Sequence, residues 1–148
     1  MTSTALLIMD VQQGIVARFA GDGDGYLGRL AAAIAAARAA DTMVSYVTIG
    51  FRQGYPEVSD RNKTFAAVAG TGRFTDGDAG ARIPAAVAPA PGEVVVTKRR
   101  VSAFTGSDLD VLLRARGIDH LVLAGIATSG VVLSTLRQAA DQIGRAHV

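Results

Sequence analysis

Apolar residues fall along this chain in short unbroken runs, separated by stretches where they return every three or four positions. Ala5 to Met9 is one run, closed by Asp10. Residues 43–50 are β-rich, residues 93–98 carry three consecutive valines before Thr97 and Lys98, and residues 119–125 end on Gly125. Unbroken apolar runs of this length fit strands buried on both faces of a parallel sheet. Between them, residues 26–40, 108–116 and 130–142 place leucine, isoleucine, valine and alanine at helical spacing. Ser107 or Thr105 can cap the second helix and Gly117 can stop it. The segment 21–25 reads as a turn.

Strands alternating with helices predict parallel pairing through right-handed crossovers. The expected fold class is α/β, a three-layer α/β/α sandwich with a mainly parallel, Rossmann-like sheet. Residues 51–92 break the alternation, being rich in glycine, proline and polar residues, with a helical patch only near 64–69. Such a stretch, leaving the carboxyl end of a strand, is expected to wall a pocket. One domain is expected over residues 1–142. No strand is predicted after the last helix, so the sheet is expected to hold four strands and lack its last ones. The closing hexapeptide, 143–148, matches one reading frame of a common sequencing adapter and is expected to be a non-native tail.

The 148 residues suffice for one domain with a sizeable core. The net charge is only +2, and the one tight basic cluster, Lys98-Arg99-Arg100, has no aromatic residue interleaved. Nucleic acid is therefore not an expected partner. There is no cysteine, which excludes disulfides, thiolate metal sites and a cysteine nucleophile. The N-terminus lacks a signal peptide's charged region, and no apolar run reaches membrane-spanning length. A cytoplasmic protein with no membrane partner is expected.

Ligands of open α/β sheets bind at the carboxyl ends of the strands. Asp10 and Lys98 close two predicted strands, and a small-residue turn, 125–130, follows a third. Burial would raise the pKa of such a carboxylate and suit it to proton transfer. A lysine beside it would hold geometry and stabilise developing negative charge. Thr128 and Ser129 can cap the last helix, whose first N–H groups could bind an anion. Phe104, Arg52, Tyr55 and Thr128 are candidate substrate contacts, the arginine and tyrosine because they follow the second strand. His120 and His147 have no partner at ligand spacing, so neither a metal nor another cofactor is expected.

Three stretches, ALLIMDVQ at 5–12, VVVTKRRVSAF at 94–104 and LVLAGIATSGVVLSTLRQA at 121–139, come in an order that resembles the isochorismatase-like hydrolase superfamily. That superfamily includes nicotinamidases and related amidases. The resemblance covers essentially the whole chain. It implies a sheet ordered 3-2-1-4-5-6 and a triad of aspartate, lysine and cysteine. The aspartate falls on Asp10, the lysine on Lys98 and the cysteine on Val131. It also implies a cis peptide at Ile126-Ala127 and oxyanion N–H groups on Ala127 and Val131. A thioester route is closed at a valine. The isochorismatase branch, which hydrolyses a vinyl ether, needs no thiol. The expected function is thus hydrolysis of a small molecule by Asp10 and Lys98, with a non-catalytic ligand-binding or self-assembling member as the alternative. The full-length form is expected to be a homo-oligomer.

Overall fold

The computed structural model describes residues 3–148. Five parallel strands form one sheet: β1 (Thr4–Met9), β2 (Met43–Ile49), β3 (Val94–Lys98), β4 (His120–Gly125) and β5 (Arg145–His147). Their order is β3-β2-β1-β4-β5. The helices are α1 (Gln13–Phe19), α2 (Gly23–Ala39), α3 (Lys63–Gly70), α4 (Leu109–Ala115) and α5 (Leu133–Gln142).

Side chains alternate across the central strands, and both faces are covered. Leu7 and Met9 of β1 pack with Leu109 and Leu113 of α4 and Ala139 of α5. Leu6 and Ile8 point the other way, onto Val16 of α1 and Leu30 and Ile34 of α2. That two-sided burial is why β1 reads as a continuous apolar run. β3 reads the same way but is an edge strand: Val96 is buried, while Val94 and Val95 are 36% and 44% exposed.

Three expectations change. Residues 13–19, unassigned from the pattern, form α1, and α2 begins at Gly23 rather than 26. Asp22 accepts from the Gly25 N–H at 3.0 Å, so the glycine-rich turn is itself the helix start. The sheet has a fifth strand: Arg145–His147 pairs with His120–Val122 of β4. Three residues with one half-buried position carry too little hydrophobic pattern to announce a strand. Around α4 the reading of the sequence fits closely, since the Leu109 N–H donates to Ser107 Oγ and Gly117 turns the chain at φ +62°.

The segment 51–92 contains α3 and two short 3-10 turns, Ala79–Ala81 and Ala85–Val87. It encloses a satellite apolar cluster of Ile49, Phe51 and Phe65 with Val68 and Phe74 against them. Among the described residues no helix is long and apolar enough to cross a membrane.

Candidate active site

The strand registers bring the site together. Met9 lies opposite Val47 and Gly125, and Ile49 lies opposite Lys98. Asp10 follows β1 directly, and Lys98 is the last residue of β3. β2 runs between them. Neighbouring strands sit about 4.8 Å apart, so the lysine's four-carbon stem must reach across the end of β2. Its Nζ lies 3.0 Å from Asp10 Oδ2. It also donates to the carbonyls of Arg100 and Val101, at 2.8 and 3.1 Å. All three ammonium protons have an acceptor, which fixes the cation in place.

Asp10 is held as firmly. Its N–H donates to the Val47 carbonyl at 2.8 Å, and its own carbonyl accepts from Gln12 at 3.0 Å. Its backbone sits at φ +58°, a conformation a non-glycine residue keeps only where its surroundings enforce it. Oδ2 is engaged by Lys98, while Oδ1 is buried without a hydrogen-bond partner among the described residues. Burial pushes the carboxyl up to about 6, against the opposing charge and hydrogen bond of Lys98. Burial likewise lowers the Lys98 pKa, against the attraction of Asp10. A carboxyl poised near 6, with one oxygen free of partners, can give or take a proton near neutral pH.

The pair opens on a cavity of about 600 Å³. Ile15 of α1, Phe65 and Val68 of α3, and Phe74 supply apolar wall, and Arg18 and Arg73 also line it. Ile126, Ala127, Gly130 and Val131 close it on the β4 side. The Ile126-Ala127 peptide is cis. Residues 128–132 form a wide π-type turn before α5, kinked at Gly130. The Gly130 and Val132 N–H groups donate to the Ala127 carbonyl, at 3.0 and 3.4 Å. The Ala127 N–H has no acceptor among the hydrogen bonds of the described residues. Val131, the expected nucleophile position, lines the cavity beside Asp10 and Lys98 and is 3% exposed.

Four residues expected at the substrate lie outside this lining. Phe104 is 6% exposed and packs in the α4–α5 side of the core. Arg52 pairs with Glu57 at 2.5 Å, so its charge is already satisfied. The Tyr55 hydroxyl donates to the Arg73 carbonyl at 2.7 Å, which ties it to the loop. Thr128 faces a neighbouring cavity lined by Tyr26 and Arg29. Neither Thr128 nor Ser129 caps a helix, because the turn there is π-type and its cap, Ala127, has no side-chain acceptor. Arg99 and Arg100 are half-buried rather than solvated: Arg99 lies 3.7 Å from Glu57 Oε1, and Arg100 donates to the Glu57 carbonyl at 2.7 Å. No group of three or more His, Asp or Glu side chains among the described residues could hold a metal ion.

Three residues of the site went unread in the sequence. Gln12 is fully buried and ties the site together. Its side-chain amide donates to the Ile49 and Ala81 carbonyls, at 3.0 and 2.9 Å, and its oxygen accepts from the Ile49 N–H at 2.9 Å. A glutamine two residues beyond a strand-closing carboxylate was the available signal. Arg18 and Arg73 gave none beyond their type.

The profile of the isochorismatase domain matches residues 4–144. The chain belongs to the isochorismatase family. It is 40% identical over 127 residues to ureidoacrylate amidohydrolase RutB of Variovorax paradoxus, covering 78% of this chain and 50% of that protein. Against two further curated ureidoacrylate amidohydrolases it covers 63% and 60% of their length. The chain thus spans half to under two thirds of these relatives. The family fold is equally clear in solved structures. An isochorismatase family protein from Desulfovibrio vulgaris superposes with a TM-score of 0.84 at 31% identity, over 98% of this chain and 78% of that one. N-carbamoylsarcosine amidase from Thermoplasma acidophilum superposes with a TM-score of 0.79 at 26% identity, over 98% and 80%.

Proposed function

We propose that the protein hydrolyses a small molecule through Asp10 and Lys98, with no thiol nucleophile. The observation that carries this reading is the buried Asp10–Lys98 pair on an apolar cavity, its carboxyl raised to about 6. The protonated carboxyl acts as general acid from Oδ1, the oxygen without a partner. On a vinyl ether, that proton goes to the enol-ether carbon and leaves an oxocarbenium ion. Water adds to the ion and returns a proton to the Asp10 carboxylate, and the resulting hemiketal passes its hydroxyl proton to the ether oxygen as the C–O bond breaks, giving the ketone and the alcohol. Lys98, fixed by three acceptors, stabilises the aspartate that forms. On an amide or carbamate, where negative charge develops on the carbonyl oxygen, the Ala127 and Val131 N–H groups are the donors assigned to it. The names of the relatives, ureidoacrylate amidohydrolase and N-carbamoylsarcosine amidase, are the reason to test small amides and carbamates beside vinyl ethers.

A general acid of this kind sets the pH dependence. Turnover should hold below about pH 6, where Asp10 keeps its proton, and decline as the carboxyl ionises above it. The deciding experiment is turnover of a panel of vinyl ethers, small amides and carbamates by the full-length protein and its Asp10→Asn variant. The variant should lose about a hundredfold or more in kcat while still giving a cooperative melt above the assay temperature. A second reading has one observation in its favour: valine stands where the family's thiol would be. If the parent turns over nothing, or Asp10→Asn matches it on every substrate, the fold serves as a ligand binder.

A further inference from the structure

The cavity's charge comes from two Arg-Phe dipeptides, Arg18-Phe19 and Arg73-Phe74, and all four residues line it. In each, the guanidinium lies over the ring that follows, at 5.3 Å for Arg18 and 5.5 Å for Arg73. A ring covers one face of a guanidinium and leaves its edge donors free. Neither arginine makes an ion pair or a side-chain hydrogen bond among the described residues, whereas Arg38, Arg52, Arg99 and Arg114 each hold a carboxylate. Arg73 attracts the nearby Asp78 carboxylate and helps to lower its pKa, but the hydrogen bonds of that carboxylate come from the Phe74 and Gly80 N–H groups, at 2.7 and 2.9 Å, so the Arg73 edge donors remain unbonded. Room for the Arg73 guanidinium is made by Gly14, where a Cβ would stand 2.5 Å from its Nη2. The other charges on the cavity, Asp10 and Lys98, satisfy each other. Two guanidinium groups with no hydrogen-bonded carboxylate among the described residues therefore give the cavity mouth its positive sign.

We propose that Arg18 and Arg73 form an anion subsite of this cavity, binding the carboxylate of a small organic acid whose apolar body lies against Ile15, Phe65, Val68 and Phe74. The proposal rests on the reading that the cavity above Asp10 is where substrate binds. It assigns that substrate a negative charge, held away from the reacting bond. Guanidinium edges bind carboxylates in a paired geometry that an amide cannot match.

Calorimetric titration with cinnamate and its neutral isostere cinnamamide, at low salt, tests this without requiring turnover. The parent should bind cinnamate about tenfold more tightly than cinnamamide, a difference of about 1.4 kcal/mol. Arg73→Gln and Arg18→Gln should each narrow that ratio, the double variant should abolish it, and high salt should compress it. Gly14→Ala, which displaces the Arg73 guanidinium, should narrow it as well. Both arginines lie at the cavity rim, and an unchanged melting temperature shows that each variant folds. Equal affinity for the two probes, no saturable binding of cinnamate, or a ratio untouched in the double variant would overturn the subsite. Inorganic phosphate binding as tightly as cinnamate would overturn the organic acid as its ligand. A preserved charge preference in a protein that hydrolyses nothing would sink the hydrolase reading and leave the subsite standing. Turnover of neutral substrates alone, indifferent to both arginines, would do the reverse.

Discussion

At the scale of single residues, the site depends on two charges that are almost wholly buried. A buried ion pair gains little overall, but removing one partner leaves the other uncompensated. Lys98→Met should therefore cost about 3–5 kcal/mol near neutral pH, with the Arg100 and Val101 carbonyls also losing a donor. The sign of its pH dependence follows from Asp10. Its carboxyl is raised from 3.8 to about 6 on folding, so the stability linked to its proton is complete below 3.8 and fades as pH rises through 6. Lys98 opposes that rise. Without it the folded carboxyl climbs further, and the loss continues above pH 6. Urea denaturation at pH 4 and pH 7.5 should show a deficit that grows with pH. A deficit of equal size at both would mean lost packing alone. At the third position, Val131→Cys removes one methyl group from a well-packed site, for about 1 kcal/mol. Iodoacetamide should alkylate the new thiol faster than free cysteine at pH 7, because the Lys98 ammonium favours the thiolate, and Lys98→Met should remove the difference. Asp10 and Lys98 were readable in the sequence because each closes an apolar run. Arg18 and Arg73 were not, since an arginine at a helix end or in a loop looks the same whether it meets a carboxylate, as Arg52 does, or a cavity.

Elements bring these residues together, and their joints are specific. The β1–α1 connection is pinned by Gln12, whose three hydrogen bonds reach Ile49 at the end of β2 and Ala81 in the loop. Gln12→Leu keeps the volume but strands one N–H and two carbonyls, at about 1 kcal/mol or more each. We expect a loss of about 3 kcal/mol in urea denaturation, with Asp10 loosened and ligand affinity reduced alongside. The β4 end is pinned by contact: a Cβ on Gly125 would overlap the Met9 carbonyl, the group that accepts from the Ile126 N–H. Element type was largely visible in the pattern, because β1 and β2 are covered on both sides and α4 has clear start and stop residues. Environment was less visible. β3 carries the same unbroken valines as a central strand although it forms an edge, and α1 is too short, with alternating buried and exposed positions, for its period to register.

At the scale of the molecule, the informative feature is the outer edge of β4. β5 pairs only with its first half, His120–Val122, leaving Leu123, Ala124 and Gly125 without a strand partner on that side among the described residues. What β5 and its approach contribute is packing as well as pairing. Ile143 and Ala146 lie against the core on the α4–α5 side, and the His147 ring stacks on His120 with centroids 4.7 Å apart. Deleting residues 143–148 therefore does more than remove a surface strand. It uncovers apolar core, at about 2 kcal/mol for a partly buried isoleucine and its neighbours. It also turns the whole of β4, with Val122 already 37% exposed, into an open parallel edge. These two effects can be separated. Loss of packing lowers the urea midpoint at every protein concentration, whereas an open edge shows itself as light scattering that rises with concentration. The deletion should produce both, and adding Val122→Lys to it should relieve the scattering without restoring the midpoint. A deletion that leaves midpoint and scattering unchanged would mean that β4 does not rely on β5 for cover. The Asp10–Lys98 site, on the far ends of β1 and β3, should be preserved in the shortened chain wherever it remains monomeric.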